Sequence, residues 1–193
     1  MNENFDADYR AVCSAVMDEL GRTLNAIDPQ SLEKLYGVIL ESEKVFFVGV
    51  GRVMLSLQGI CKRFAHLGID AHCVGDITEP AITSKDLLIV GSGSGASLVP
   101  LGIAKKARTA APDCKIVHIG SNPQSEIKDI ADFMVRIPVR TKLYLPDEID
   151  SCQIMTTIFD QTLLLLGDIL AKMIMEKRGI DMKALWQYHA NLE

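Results

Sequence analysis

Asp86-Leu87-Leu88-Ile89-Val90-Gly91-Ser92-Gly93-Ser94-Gly95-Ala96-Ser97 is the stretch that decides the fold. Its first half is an unbroken apolar run ending in glycine, the pattern of a strand buried on both faces of a parallel sheet. Its second half carries glycines that let the backbone turn tightly and hydroxyls at Ser92, Ser94 and Ser97. A helix follows over Ser97–Thr109, with Pro100 in its first turn, where a missing N–H costs little. Strand, glycine-serine turn and helix N-terminus together suit a phosphate dianion without any lysine. The competing reading is a plain connection with Ser97 as an ordinary cap. No Gly-Lys-Ser/Thr closes the turn, so it is not a Walker loop. Gly91, Gly93 and Ala96 match a loose dinucleotide spacing. The next strand, however, ends in Gly120-Ser121-Asn122 with no acid to hold a ribose.

The same alternation extends outward. Asp8–Ala26 reads as an amphipathic helix on Val12, Val16, Leu20 and Leu24. Pro29 interrupts it, and Ser31 caps a second helix to about Leu40. Lys44–Gly49 is a buried strand, Val53–His66 a helix, Asp70–Val74 a weaker strand. Cys114–Ile119 and Phe133–Ile137 complete five strands, with a short helix at Ser125–Ala131 between them. Val139–Asp150 is a polar loop containing Pro146. Gln153–Lys177 is a long apolar helix ended by Gly179, and Asp181–Tyr188 a last short helix. This order predicts an α/β three-layer sandwich, a five-stranded parallel sheet flanked by helices. Ligands then sit at the carboxyl ends of the strands, where Gly49-Val50-Gly51-Arg52 joins the Gly91–Ser97 turn. Arg52 suits pairing with a phosphate or an oxyanion, against the alternative of a surface arginine at a helix start.

Composition sets bounds on function. The chain has 193 residues, a formal net charge of −5 and 48% hydrophobic residues. That length fits one domain over 1–193, with N-terminal helices and a C-terminal helical tail. The acidic balance offers no footprint for nucleic acid or an anionic membrane, so neither is expected as a partner. Cys13, Cys61, Cys73, Cys114 and Cys152 are odd in number and form no CxxC. This argues against a disulfide framework or zinc site and suits a cytoplasmic protein. The polar start Met1–Asp6 does not read as a signal peptide. No metal and no cofactor is expected.

The chain resembles the sugar isomerase (SIS) domain family, and within it the 6-phospho-3-hexuloisomerase branch. The matching pieces are VGVGR (48–52), FAHLGI (64–69), VGDITEPAI (74–82), DLLIVGSGSGAS (86–97), SNPQS (121–125), QIMTTIFDQTLLLL (153–166) and the terminal HANLE (189–193). The resemblance implies a homotetramer or homodimer with sites at subunit contacts. It implies metal-free isomerisation of a sugar phosphate between 3-hexulose and fructose forms through an enediolate. Gly51 and Arg52 with Ser92, Gly93, Ser94, Gly95 and Ser97 are its implied substrate and phosphate contacts. The family's base is a glutamate, and its position here is Asp160, one methylene shorter. Glu148 and Asp150 are rival bases, and a solvent-facing carboxylate is the plainer reading of Asp160. His189 is the second catalytic candidate, reaching a neighbour's site. A near-neutral pKa suits it to moving a proton between oxygens. His66, His72 and His118 have weaker claims.

Departures from the family pattern cluster near the expected site. The usual Gly-Arg-Ser-Gly reads Gly51-Arg52-Val53-Met54, and the usual Glu-Thr after the serine turn reads Ala96-Ser97. The segments Gly75–Pro80 and Gln153–Thr156 depart as well. These changes keep open two alternatives: an isomerase of another sugar phosphate, and a non-catalytic module that binds one.

Overall fold

The computed structural model describes residues 4–192. Met1–Glu3, half of the polar start, and Glu193, the end of HANLE, lie outside the described residues. Helices α1 (Phe5–Asn25) and α2 (Pro29–Glu41) precede β1 (Val45–Val48), α3 (Gly51–His66), β2 (Ala71–Cys73), β3 (Leu87–Gly91), α4 (Leu98–Ala110) and β4 (Lys115–Gly120). A 3-10 turn at Glu126–Asp129, β5 (Phe133–Arg136), α5 (Thr157–Lys177) and a 3-10 turn at Ala184–Tyr188 complete the order. All strand pairings are parallel, in the order β2-β1-β3-β4-β5. The five-stranded parallel α/β sheet read from the sequence is therefore present.

Strand alternation divides the core into two layers. Val45, Phe47, Leu87, Ile89, Val117 and Ile119 face α1, α2, α3 and α5. Phe46, Val48, Leu88, Val90 and Ile116 face α4 and the first 3-10 turn. Helix α5 lies close on α3 because Gly167 has no side chain; a Cβ there would fall 2.3 Å from Ile60 Cγ1.

Several boundaries differ from the sequence expectation for local reasons. Asp28, not Ser31, caps α2: its carboxylate accepts from the N–H groups of Gln30 (3.3 Å) and Ser31 (2.9 Å), and Pro29 takes the first helical position. Helix α5 starts at Thr157 rather than Gln153, because the preceding residues are held elsewhere. Met155 adopts φ +53 there, outside the helical region. The 181–188 segment forms only a 3-10 turn. No helix among the described residues is long and apolar enough to cross a membrane.

Asp86 fixes the register of the two central strands. It is fully buried and accepts from the N–H of Lys44 (3.0 Å), and from both the N–H (2.6 Å) and hydroxyl (2.9 Å) of Thr83. Lys44 Nζ lies 3.1 Å away. Removing the carboxylate strands a partly buried ammonium and several donors at once. Asp86→Ala is expected to lose about 3 kcal/mol, read as a lower denaturant midpoint at unchanged slope.

Candidate functional site

The sheet reverses its winding between β1 and β3. Helix α3 leaves β1 toward β2 on one face, and α4 leaves β3 toward β4 on the other. A crevice opens at the carboxyl ends of these two strands, as such reversals require. Its upper part is a cavity of about 180 Å³ lined by Val50, Val53, Ser92, Ser94, Ser97 and Lys142, among others. Its lower part, of about 400 Å³, holds Arg52, Ile154, Met155, Thr157 and Asp160. Val50, Val53 and Thr156 line both parts, so the two are one cleft.

The glycine-serine turn is held from behind. The carbonyl of Ser92 accepts from His118 Nε2 (2.8 Å), so that nitrogen carries the proton. The Gly93 carbonyl accepts from the N–H groups of Ser121 (2.9 Å) and Asn122 (3.1 Å), and the Ser94 carbonyl from the Asn122 side chain (3.3 Å). With the carbonyls tied to the body, the turn presents N–H groups to the cleft. Among the described residues, the amides of Gly93, Ser94 and Ser97 have no protein acceptor. Burial lowers the pKa of His118, outweighing its bond to Ser92, which keeps the ring neutral. His118 is thus a strut of the turn. Gly95 closes it at φ +65, and a Cβ there would fall 2.2 Å from Ser125 Cβ. No other residue type fits that bend.

Three helices begin at this cleft: α3 after Val50, α4 after Ser97 and α5 after Thr156. None of the three capping residues makes a side-chain cap hydrogen bond. Ser97 therefore caps α4 by position only, leaving its hydroxyl available. At α3 and α4 the missing side-chain cap leaves first-turn N–H donors and positive dipole ends unsatisfied, which favours an anion, whereas at α5 the N–H groups of Thr157 and Phe159 bond the carbonyls of Ile154 (3.1 Å) and Thr156 (3.0 Å).

Asp160 lies one turn into α5. Its side chain is 4% exposed, so the solvent-facing reading is wrong. Oδ2 accepts from Arg52 Nε at 3.1 Å, while the Arg52 side chain is 66% exposed at the cleft mouth. Oδ1 is buried with no partner among the described residues. Burial raises the carboxyl pKa, and Arg52 draws it part of the way back. A carboxylate with one pinned oxygen and one bare oxygen is suited to accepting a proton.

The rival carboxylates have other employment. Glu148 accepts from Ser121 Oγ (3.0 Å), Thr141 Oγ1 (3.0 Å), Thr141 N (3.2 Å) and Leu145 N (2.9 Å). Asp150 pairs with Arg140. Together they fold the 139–150 loop so that Thr141 and Lys142 face the cradle. The sequence reading missed both residues, treating the loop only as polar. Its position after β5, at the carboxyl edge, was the available signal.

His189 is not brought to Asp160 within one chain. It stacks on His66 (5.5 Å between ring centres) and against Trp186 (5.0 Å), at the far end of α3. That end and Gly51 are the opposite ends of the sixteen-residue α3, a helix roughly 24 Å long. His72 pairs with Asp70 at 2.7 Å, also away from the cleft. Among the described residues, no three His, Cys, Asp or Glu side chains gather as a metal site would need.

No family model matches the chain. It is 34% identical over 178 residues to the 3-hexulose-6-phosphate isomerase of Bacillus subtilis, covering 92% of this chain and 95% of that protein. It is 34% identical over 181 residues to the 3-hexulose-6-phosphate isomerase of Mycobacterium gastri, covering 93% and 89%. A Methanococcus jannaschii crystal structure, from which a 3-hexulose-6-phosphate isomerase function was inferred, superposes with TM-score 0.80 at 28% identity, covering 95% and 99%. A shared fold and identity over nearly the full length lead to one conclusion: the chain belongs to the 3-hexulose-6-phosphate isomerase family, on the SIS fold.

Proposed function

We propose that this protein is a sugar-phosphate isomerase interconverting 3-hexulose 6-phosphate and fructose 6-phosphate. The observation that carries this reading is the single cleft with an anion cradle at one end and a buried, half-free carboxylate at the other. The names of its relatives point the same way.

The phosphate rests on the amides of Gly93, Ser94 and Ser97, the hydroxyls of Ser94 and Ser97, and Lys142. Ser92 Oγ accepts from Gly95 N (3.1 Å), supporting the turn, and its own hydroxyl proton is left to donate to the phosphate in the same cavity. The sugar chain runs past Val50, Val53 and Thr156 toward Asp160. The Asp160 carboxylate removes the proton from C2 of the 3-ketose, and the electron pair becomes the C2–C3 double bond of an enediolate. Arg52 offsets the charge that develops on oxygen. Asp160 returns the proton to C3, the carbonyl forms at C2, and the hydroxyl proton of O2 ends on O3. His189 of a neighbouring copy is proposed to carry that last proton. Association of copies is supported by Leu165, Ile169 and Met173, spaced four apart and exposed on α5, and by the exposed Phe5, Tyr9 and Val12 on α1. Val53, an apolar wall between cradle and base, supports a second reading in which the sugar is a different phosphorylated ketose or aldose.

Asp160→Asn is expected to abolish turnover by at least about 1000-fold while the sugar phosphate still binds. A panel of sugar phosphates scored by proton exchange with solvent, beside binding calorimetry, checks this. Turnover within tenfold of wild type would remove Asp160 from the mechanism. The ionised carboxylate is the active form, and burial raises its pKa. Activity is therefore expected to rise with pH through a limb above the ordinary carboxylate range. Arg52→Gln removes the lowering influence and moves that limb higher still, as kcat/KM against pH will read. Lys142→Ala is expected to weaken phosphate-end binding about tenfold, seen as a higher KM at nearly constant kcat.

A further inference from the structure

Glu19 is a carboxylate on α1 with only 5% of its surface exposed. Among the described residues it has no cation beside it. A buried charge without an ion partner is costly unless hydrogen bonds hold it. Here they all come from one tripeptide, far along the chain. Oε1 accepts from the N–H of Cys152 (2.6 Å), and Oε2 accepts from the hydroxyl of Ser151 (2.7 Å) and the side-chain amide of Gln153 (3.2 Å). Ser151 Oγ in turn accepts from Gln153 N at 3.0 Å, so the three residues are locked together. Burial alone would raise the Glu19 carboxyl, but these bonds outweigh it and hold it at about 2. The group is ionised at any working pH.

The residues just past this tripeptide form a wall of the site. Ile154, Met155, Thr156 and Thr157 line the lower cleft beside Asp160. Met155 is held at φ +53, a conformation that a non-glycine residue keeps only when its surroundings impose it. The Thr157 hydroxyl then bonds the Ile154 carbonyl (2.6 Å), and Asp160 N reaches the Thr156 carbonyl (3.3 Å) as α5 begins. The start of the helix carrying Asp160 is thus tied to α1 through Glu19.

We propose that Glu19 is a positioning residue for Asp160, clamping the 151–153 tripeptide so that α5 starts where its first turn presents the carboxylate to the cleft. The proposal rests on reading the cleft as the isomerase site. Glu19 acts by placement, through the 151–153 tripeptide it holds.

Glu19→Gln and Ser151→Ala, made in the full chain, test this. Displacing the reacting group by about 1 Å lowers kcat by about 100-fold, and that is expected for Glu19→Gln with KM changed less than about threefold. Ser151→Ala removes one bond and is expected to move kcat the same way by a smaller factor. The double variant is expected to match Glu19→Gln alone, since both break one network. Backbone hydrogen exchange supplies the readout a general structural role would not give: faster exchange at 152–157 and unchanged exchange in β3. Unchanged kcat, or exchange accelerated evenly across the sheet, overturns the proposal. If the wild-type chain turns over no sugar phosphate, the isomerase reading fails by itself. The exchange pattern then still decides whether Glu19 holds the start of α5.

Discussion

The parallel pairing of β1 with β3 is the constraint on which the rest of the molecule depends. Val45 sits opposite Leu87 and Val48 opposite Val90, and the buried Asp86 ties the start of one strand to the start of the other. Parallel neighbours require crossover connections, and the right-handed rule sends α3 and α4 to opposite faces. The two turns after these strands therefore splay apart with no helix between them. The cleft is the space that this topology leaves uncovered.

The chain's electrostatics fit a local anion site in an acidic protein. A net charge of −5 repels a phosphosugar at long range. In the proposed reading the attraction comes instead from fixed donors: the uncapped starts of α3 and α4, amides turned outward by carbonyls bound behind them, and Lys142 on the loop that Glu148 organises. These donors are preorganised, so little reorganisation is needed when the anion arrives. At the other end, burial and Arg52 act on Asp160 in opposite directions. The carboxylate keeps an accessible ionised form without being neutralised by a tight, fully buried pair.

The fold was legible because buried strands and amphipathic helices are written in local periodicity. Leu87–Gly91 and the apolar run within Gln153–Lys177 could hardly be read otherwise. The cradle was legible too, since the glycines and serines that make the bend are consecutive. Boundaries were less so: the cap of α2 is Asp28, and α5 begins after the tripeptide that Glu19 holds. Asp160 was named from the resemblance, yet its burial, its pairing with Arg52 and its bare oxygen depend on residues over a hundred positions away.

The sequence by itself determined the sheet, the order of its elements and the phosphate-suited turn, because each rests on neighbours along the chain. Only the tertiary structure decided that Arg52 and Asp160 pair, that Lys142 faces the cradle, that Glu148 organises a loop, and that His189 lies far from its own chain's cleft. Those facts depend on where separate helices and loops come to rest against the sheet. That placement is set by packing and buried hydrogen bonds between distant segments, which no local pattern records.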